Sequence, residues 1–366
     1  MVGLKVTYPH MGNLTIGVKA MFGRLDLEVV EPPPISKRTL TLGVQHSPEF
    51  ACLPFKVNLG NFLEALERGA DTIVVAGGKG PCRFGYYGQS QAEILKELGY
   101  DFHYVTVESV DNGKDKFAAG VKALANGKSA WEVVAAIHYG YRKLAACDLA
   151  ERLSHRVRPR ERHRGAASAA YRESLEQIDR CRSAGEVKRA SREIRRRFAA
   201  VPVDRERPVL KVGIIGEIYF LLEPYVNLHV EERLGYLGAE TERTLYLSEW
   251  VKRHLLLAPL GVNPEHHYAR DAAPYLTTEI GGHGRENVGK AVQYARAGFD
   301  GLVHICPLTC MPEIVGKSLY PQVSQDHGIP VLSLSLDEHA GEAGFETRLE
   351  AFVDLLGRRA VRERRS

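Results

Sequence analysis

Two stretches of this chain pass through the same signals in the same order, and that repetition limits the fold more than any single motif. LERGADTIVVAGGKGPC (66–82) and ARAGFDGLVHICPLTC (295–310) each end an amphipathic helix pattern at a glycine, Gly69 or Gly298, followed by an aspartate. Each then enters an apolar run and a loop that carries cysteine. Glycine just past a helix suits the left-handed backbone that ends one. The apolar runs, Thr72–Ala76 and Gly301–Ile305, have the length of strands buried on both faces. Leu4–Tyr8 and Leu210–Gly216 are similar runs that open the two halves. Helix, short loop and buried strand in alternation imply βαβ units and parallel sheets. The expected fold is α/β, with two Rossmann-like, doubly wound lobes over 1–140 and 208–366.

The 141–207 segment between them differs. It is rich in Ala, Arg and Glu at helical spacing, and RLSHRVRPRERHRG (152–165) and KRASREIRRRF (188–198) are strongly basic. Such runs can track phosphate backbones. Here Glu151, Glu161, Glu173, Glu176, Glu186 and Glu193 interrupt them, and the whole chain carries only +4. A solvated helical face or a dock for an acidic partner is therefore favoured over nucleic acid. Pro208 ends this segment at a linker, and 344–366 reads as a closing helix with a basic tail. A 44% hydrophobic and 26% charged composition is that of a globular protein of more than one domain. The opening residues lack a basic leader with an apolar core, and no apolar stretch reaches the ~20 residues of a membrane span. A cytoplasmic location, where thiols stay reduced, is the expectation.

Six cysteines then need an explanation. Cys147 and Cys181 lie in helical patterns and read as small core residues. Cys52 lies where a helix starts close to Pro54, since proline is tolerated in a first turn. Cys82 is in a glycine-rich loop after the strand Thr72–Ala76, and Cys306 and Cys310 follow the strand Gly301–Ile305. Ligands of open α/β sheets gather at the carboxyl ends of strands. Thiolates select zinc, copper(I) or iron–sulfur clusters. Gly77, Gly78, Gly80 and Gly85 would let backbone N–H groups approach cluster sulfides. Zinc is the weaker choice, because the tight CxxC knuckles of zinc ribbons are missing. Glu49, Glu217 and Glu313 border the expected cleft as acid or base candidates, and His304 as a proton shuttle. Lys56 and Arg83 adjoin the expected ligands, and Gly213–Glu217 reads as a tight strand-to-helix turn.

SPEFACLPFK, GPCRFGYYG, GEIYFLLEPYVN, CPLTCMPEIV and PVLSLSLDEHAGEAGFETRLEAFVDLL, taken together and in this order, resemble the 2-hydroxyacyl-CoA dehydratase-like family. The likeness is nearest to its CoA-enzyme-activase-related subgroup. Relatives include dehydratase and benzoyl-CoA reductase cluster subunits and double-cubane cluster proteins. The resemblance implies a [4Fe-4S]-type cluster between two lobes, carried here by Cys52, Cys82 and Cys310. Cys306 is either a fourth thiolate or a bystander. It further implies low-potential one-electron transfer to an activated small substrate, in an acyl-CoA-like dehydration or reduction. The alternatives are a non-catalytic electron carrier or accessory protein with four thiolate ligands, and a structural zinc protein. No GxxxxGK[ST] motif occurs, so an ATP-dependent activator or reductase would be a separate partner. A homo- or hetero-oligomer is expected.

Overall fold

The computed structural model describes residues 4–77, 82–107, 113–261 and 266–363. The chain divides into two compact units. One comprises Met1–Leu144, Leu247–Pro264 and Ile280–Gly282, and the other Ala145–Tyr246, Glu265–Glu279 and His283–Ser366.

The first unit runs β1 (Lys5–Thr7), α1 (Leu14–Arg24), β2 (Glu28–Val29), α2 (Lys37–His46), α3 (Leu53–Glu67), β3 (Thr72–Ala76), α4 (Phe84–Glu97), β4 (His103–Val107), α5 (Lys114–Leu124) and the first half of α6 (Ala130–Val157). Its strands pair in parallel in the order β2-β1-β3-β4. Alternation along β3 sends Ile73 and Val75 into a core with Phe55, Leu59, Phe62 and Leu95 of α3 and α4. Val74 goes the other way, with Val6, to Phe22, Leu124 and Ala136 of α1, α5 and α6. Coverage on both faces is why β3 reads as an unbroken apolar run.

Helix α3 starts as expected, with Pro54 in its first turn and Gly69 beyond its end at φ +91°. It is not amphipathic: every residue except Glu67 is buried. The outer face, which the sequence pattern leaves to solvent, is covered by α2. The two helices meet backbone to backbone. A Cβ on Gly43 would lie 1.8 Å from the Lys56 carbonyl oxygen, and one on Gly60 would lie 1.9 Å from that of Thr39. The polar groups this encloses find partners: Thr39 Oγ1 donates to Glu64, and Asn61 Nδ2 to the Pro33 carbonyl at 2.9 Å.

The second unit contains the rest of α6, α7 (Ala166–Arg180), α8 (Ala184–Ala199), β5 (Leu210–Gly216), α9 (Ile218–Leu222), α10 (Val230–Tyr236) and β6 (Ala239–Arg243). Helix α11 (Leu247–Val251) belongs to the first unit; α12 (His266–Ala272), α13 (Gly284–Arg296), β7 (Gly301–Pro307), α14 (Met311–His327), β8 (Val331–Leu336) and α15 (Glu342–Glu363) complete the second. Its sheet is again all parallel, in the order β6-β5-β7-β8. Ile215 and Leu302 pack with Val288, Val292, Tyr320 and Val323 of α13 and α14. On the opposite face Gly301 leaves room for Phe352 and Leu356 of α15. Two doubly wound α/β lobes are thus present, and residues 145–207 are part of the second unit.

A buried ion network holds that helical segment to its unit. Arg243, at the end of β6, bonds Glu151 of α6 and Glu231 of α10, and its guanidinium lies 4.5 Å from the Tyr246 ring centre. Glu161 accepts from the Gly165 and Ala167 amides at 2.7 Å, capping α7. Ser168 of α7 donates to Glu232 at 2.6 Å. No described helix is long and apolar enough to cross a membrane.

Candidate functional site at the β5–β7 edge

From β5 the chain crosses to β6 on one side and later returns to β7 on the other, so the strand order reverses between β5 and β7. Helices attached to the two strands diverge there, and ligands of open α/β sheets bind at that point. The last residue of β5 is Gly216, at φ +152°, where a Cβ would lie 1.9 Å from the Ile305 carbonyl oxygen. Only glycine lets the chain turn this closely past β7. Glu217 follows as the N-cap of α9 and accepts from the Phe220 amide at 3.0 Å. The expected strand-to-helix turn is therefore present.

Three of the four acid–base candidates meet here. His304 lies within β7, fully buried, with Nε2 2.9 Å from Oε2 of Glu313 in the first turn of α14. Asn287 of α13 donates to Glu313 Oε1 at 2.9 Å and to the Gly216 carbonyl at 2.8 Å. Its own oxygen accepts from Thr244 Oγ1 at 3.4 Å. This fully used amide fixes Glu313 against β5, while the imidazole fixes it against β7. Two polar atoms here, His304 Nδ1 and Tyr320 Oη, are buried without a hydrogen-bond partner among the described residues. Their rings are 4.8 Å apart between centres. Burial pushes the Glu217 carboxyl up to about 7, with Glu313 adding to the rise and the Phe220 and Tyr219 amides opposing it. A carboxyl that stays protonated close to neutral pH, beside a carboxylate–imidazole pair, can give or take a proton. Glu49, the fourth candidate, is exposed in the turn before α3, in the first unit.

The cysteines have unlike settings. Strand β7 extends two residues beyond the apolar run, so Cys306 does not follow the strand but lies inside it. Cys306 pairs in register with Ser335 and is fully buried. Pro307 ends the ladder without breaking it, and Leu308 N–H still reaches the Leu336 carbonyl. Burial pushes the Cys306 thiol up to about 12, Glu313 adding to the rise; Ser335 Oγ is 3.6 Å from the sulfur. Cys310 is the N-cap of α14 and Cys52 the N-cap of α3, and neither spends its sulfur on capping. Cys82 comes directly before Arg83, the N-cap of α4. Cys52 Sγ contacts the Tyr87 hydroxyl of α4, and Arg83 donates to the Phe50 carbonyl at 3.3 Å, so the Cys52 and Cys82 segments adjoin. Lys56 is buried within α3, and Arg83 is exposed. Gly78, Gly80 and Pro81 lie outside the described residues.

Cys52 and Cys82 thus belong to the first unit, and Cys306 and Cys310 to the second. Among the described residues, no group of three or more His, Cys, Asp or Glu side chains is gathered as a metal site would need. Sequence reasoning missed Asn287 and Tyr320. Asn287 could have been found: it falls on the stripe of Gly284, Val288, Ala291 and Val292 that α13 buries, and a polar residue there needs partners. No protein-family model matches the chain, and no curated protein does.

Proposed function

We propose that this chain is an iron–sulfur protein, its cluster ligated by Cys52, Cys82 and Cys310, acting on a small activated substrate such as an acyl thioester. One observation carries the reading: each of these thiols sits at the N-terminus of a helix, whereas Cys147, Cys181 and Cys306 do not. The positive end of a helix favours the thiolate, the form that binds metal. Cys82 and Cys310 also hold equivalent places, each after the third strand of its sheet and before the next helix. The donor set therefore suits a soft metal centre. A bound cluster would supply one-electron chemistry at low potential.

Cys306 favours the three-ligand form over the carrier with four thiolates, because it lies inside β7, fully buried and in register with Ser335, rather than at a helix start. Glu217, with the Glu313–His304 pair behind it, is the group that would hold or give a proton on the second unit, and Cys310 shares the first turn of α14 with Glu313. Iron and sulfide quantitation after anaerobic purification tests the reading. The wild type should hold about four of each per chain, the value of a [4Fe-4S] centre. Cys52→Ser, Cys82→Ser and Cys310→Ser should lose most of it and Cys306→Ser should retain it. Zinc without iron or sulfide would overturn the proposal; equal loss in Cys306→Ser would restore the carrier.

A further inference from the structure

Behind the Glu313–His304 pair the second unit encloses polar atoms that the hydrogen bonds described above do not use. His304 is 0% exposed and Tyr320 of α14 is 1% exposed. Neither His304 Nδ1 nor Tyr320 Oη has a hydrogen-bond partner among the described residues. A polar atom taken out of water costs stability unless another partner replaces it, and in folded proteins ordered water commonly does so. The two rings lie 4.8 Å apart between centres, so the orphaned atoms are neighbours although they do not bond directly.

Gly316 shows where a shared partner has room. It is buried within α14, one turn before Tyr320, where glycine is a poor helix former. A Cβ at this position would lie 3.1 Å from Tyr320 Oη and 3.6 Å from its Cζ. Its next neighbour would be the carbonyl oxygen of Gly284, the first residue of α13, at 3.9 Å. Buried Gly43, Gly60 and Gly216 differ: the same point there meets backbone oxygen at 1.8 to 1.9 Å. Gly316 thus leaves a small enclosed space with polar walls.

We infer that the second unit binds one internal water molecule between α13 and α14, held by Tyr320, the Gly284 carbonyl and His304 Nδ1. The donors and acceptors present match a water. Tyr320 O–H donates to the water oxygen, and the water donates one hydrogen to the Gly284 carbonyl and the other to Nδ1. Three bonds are the usual number for a buried water. An anion would find a single donor here, and among the described residues no cluster of His, Cys, Asp or Glu gathers for a metal. The bond accepted at Nδ1 keeps the ring's proton on Nε2, which donates it to Glu313. A chain Tyr320–water–His304–Glu313–Asn287 then holds the carboxylate whose charge helps to keep Glu217 protonated. The water deepens the acid–base part of the proposed function and is independent of the cluster.

Crystallography of the full chain, at a resolution that shows ordered water, tests the inference. The wild type should hold one water within hydrogen-bonding distance of all three groups, and Gly316→Ala should lack it. Neutron data from the wild-type crystals should put the imidazole hydrogen on Nε2. Stability reads the same question by its sign. A hydroxyl without a partner is better removed, so Tyr320→Phe would then match or exceed the wild type. With the water in place, Tyr320→Phe should lower the folding equilibrium constant about fivefold. Gly316→Ala should lose at least as much, although alanine is the better helix former. Four results each overturn the inference: no water at this point, a hydrogen on Nδ1, Tyr320→Phe at wild-type stability or above, and a direct bond to Nδ1 from Tyr320 or from Ser333, its register partner on β8. None of these readouts depends on iron or sulfide content, so the cluster proposal and this one fail separately.

Discussion

Glu217 and His155 show how burial sets charge at single positions, with opposite signs. The folded protein holds the Glu217 proton up to about pH 7, against 4.5 for a free glutamate. A group raised on folding contributes stability that is whole below the unfolded value and is lost as pH rises through the folded one. Glu217→Gln keeps the hydrogen-bonding shape without the charge. Chemical denaturation should therefore find the wild type losing about 2 kcal/mol relative to this variant between pH 5 and pH 8. That is less than the full ~1.4 kcal/mol for every pH unit separating the folded from the unfolded value, because Glu217 is only partly buried and water screens the new charge. Parallel profiles would show that the carboxyl is ionised throughout. At this scale, sequence reading found the acids and the histidine of the β5–β7 edge because strand ends and helix starts are legible. It misplaced Cys306, because the end of β7 is set by pairing with β8, a contact between segments remote in sequence.

Elements were more legible than their neighbours. Pro54 and Gly69 bracket α3 because local backbone chemistry fixes helix ends. That α3 is buried all round follows instead from α2, and the only sequence trace is a pair of glycines, Gly43 and Gly60, in separate helices. Gly60→Ala would remove backbone freedom from the unfolded chain, which by itself favours folding by up to ~1 kcal/mol. Here the added methyl meets the Thr39 backbone, which cannot swing aside, so α2 must move outward. We expect a net loss of about 2–3 kcal/mol, the cost typical of overpacking, read as a shift in denaturation midpoint at unchanged slope. A stabilised Gly60→Ala would mean that the helices do not touch there.

For the molecule as a whole, the second unit carries two groups whose responses to acid oppose one another. His155 is buried there, and burial together with Arg243 holds its imidazole down to about 3, against 6.5 free. A histidine lowered on folding contributes stability that is present above the unfolded value and fades as pH falls toward the folded one. Glu231, pushed up by burial, works the other way, but over the carboxylate range. Between pH 6.5 and pH 5 Glu217, in the same unit, regains stability and opposes the histidine, so the comparison is made in the Glu217→Gln background. Hydrogen exchange compared across that interval should show lost protection around the end of α6 and α10 before β1–β4 respond, and His155→Gln should abolish the difference. Uniform loss across both sheets would show that another group governs acid lability.

The parallel sheets were foreseen from the repeated helix–glycine–strand signals, and their shared order, with the opening strand second from one edge, completes that pattern. Each half therefore has its own switch point, between β1 and β3 in one and between β5 and β7 in the other. Glu217, His304 and Glu313 belong to the second alone, so one architectural plan offers two chemically unlike berths.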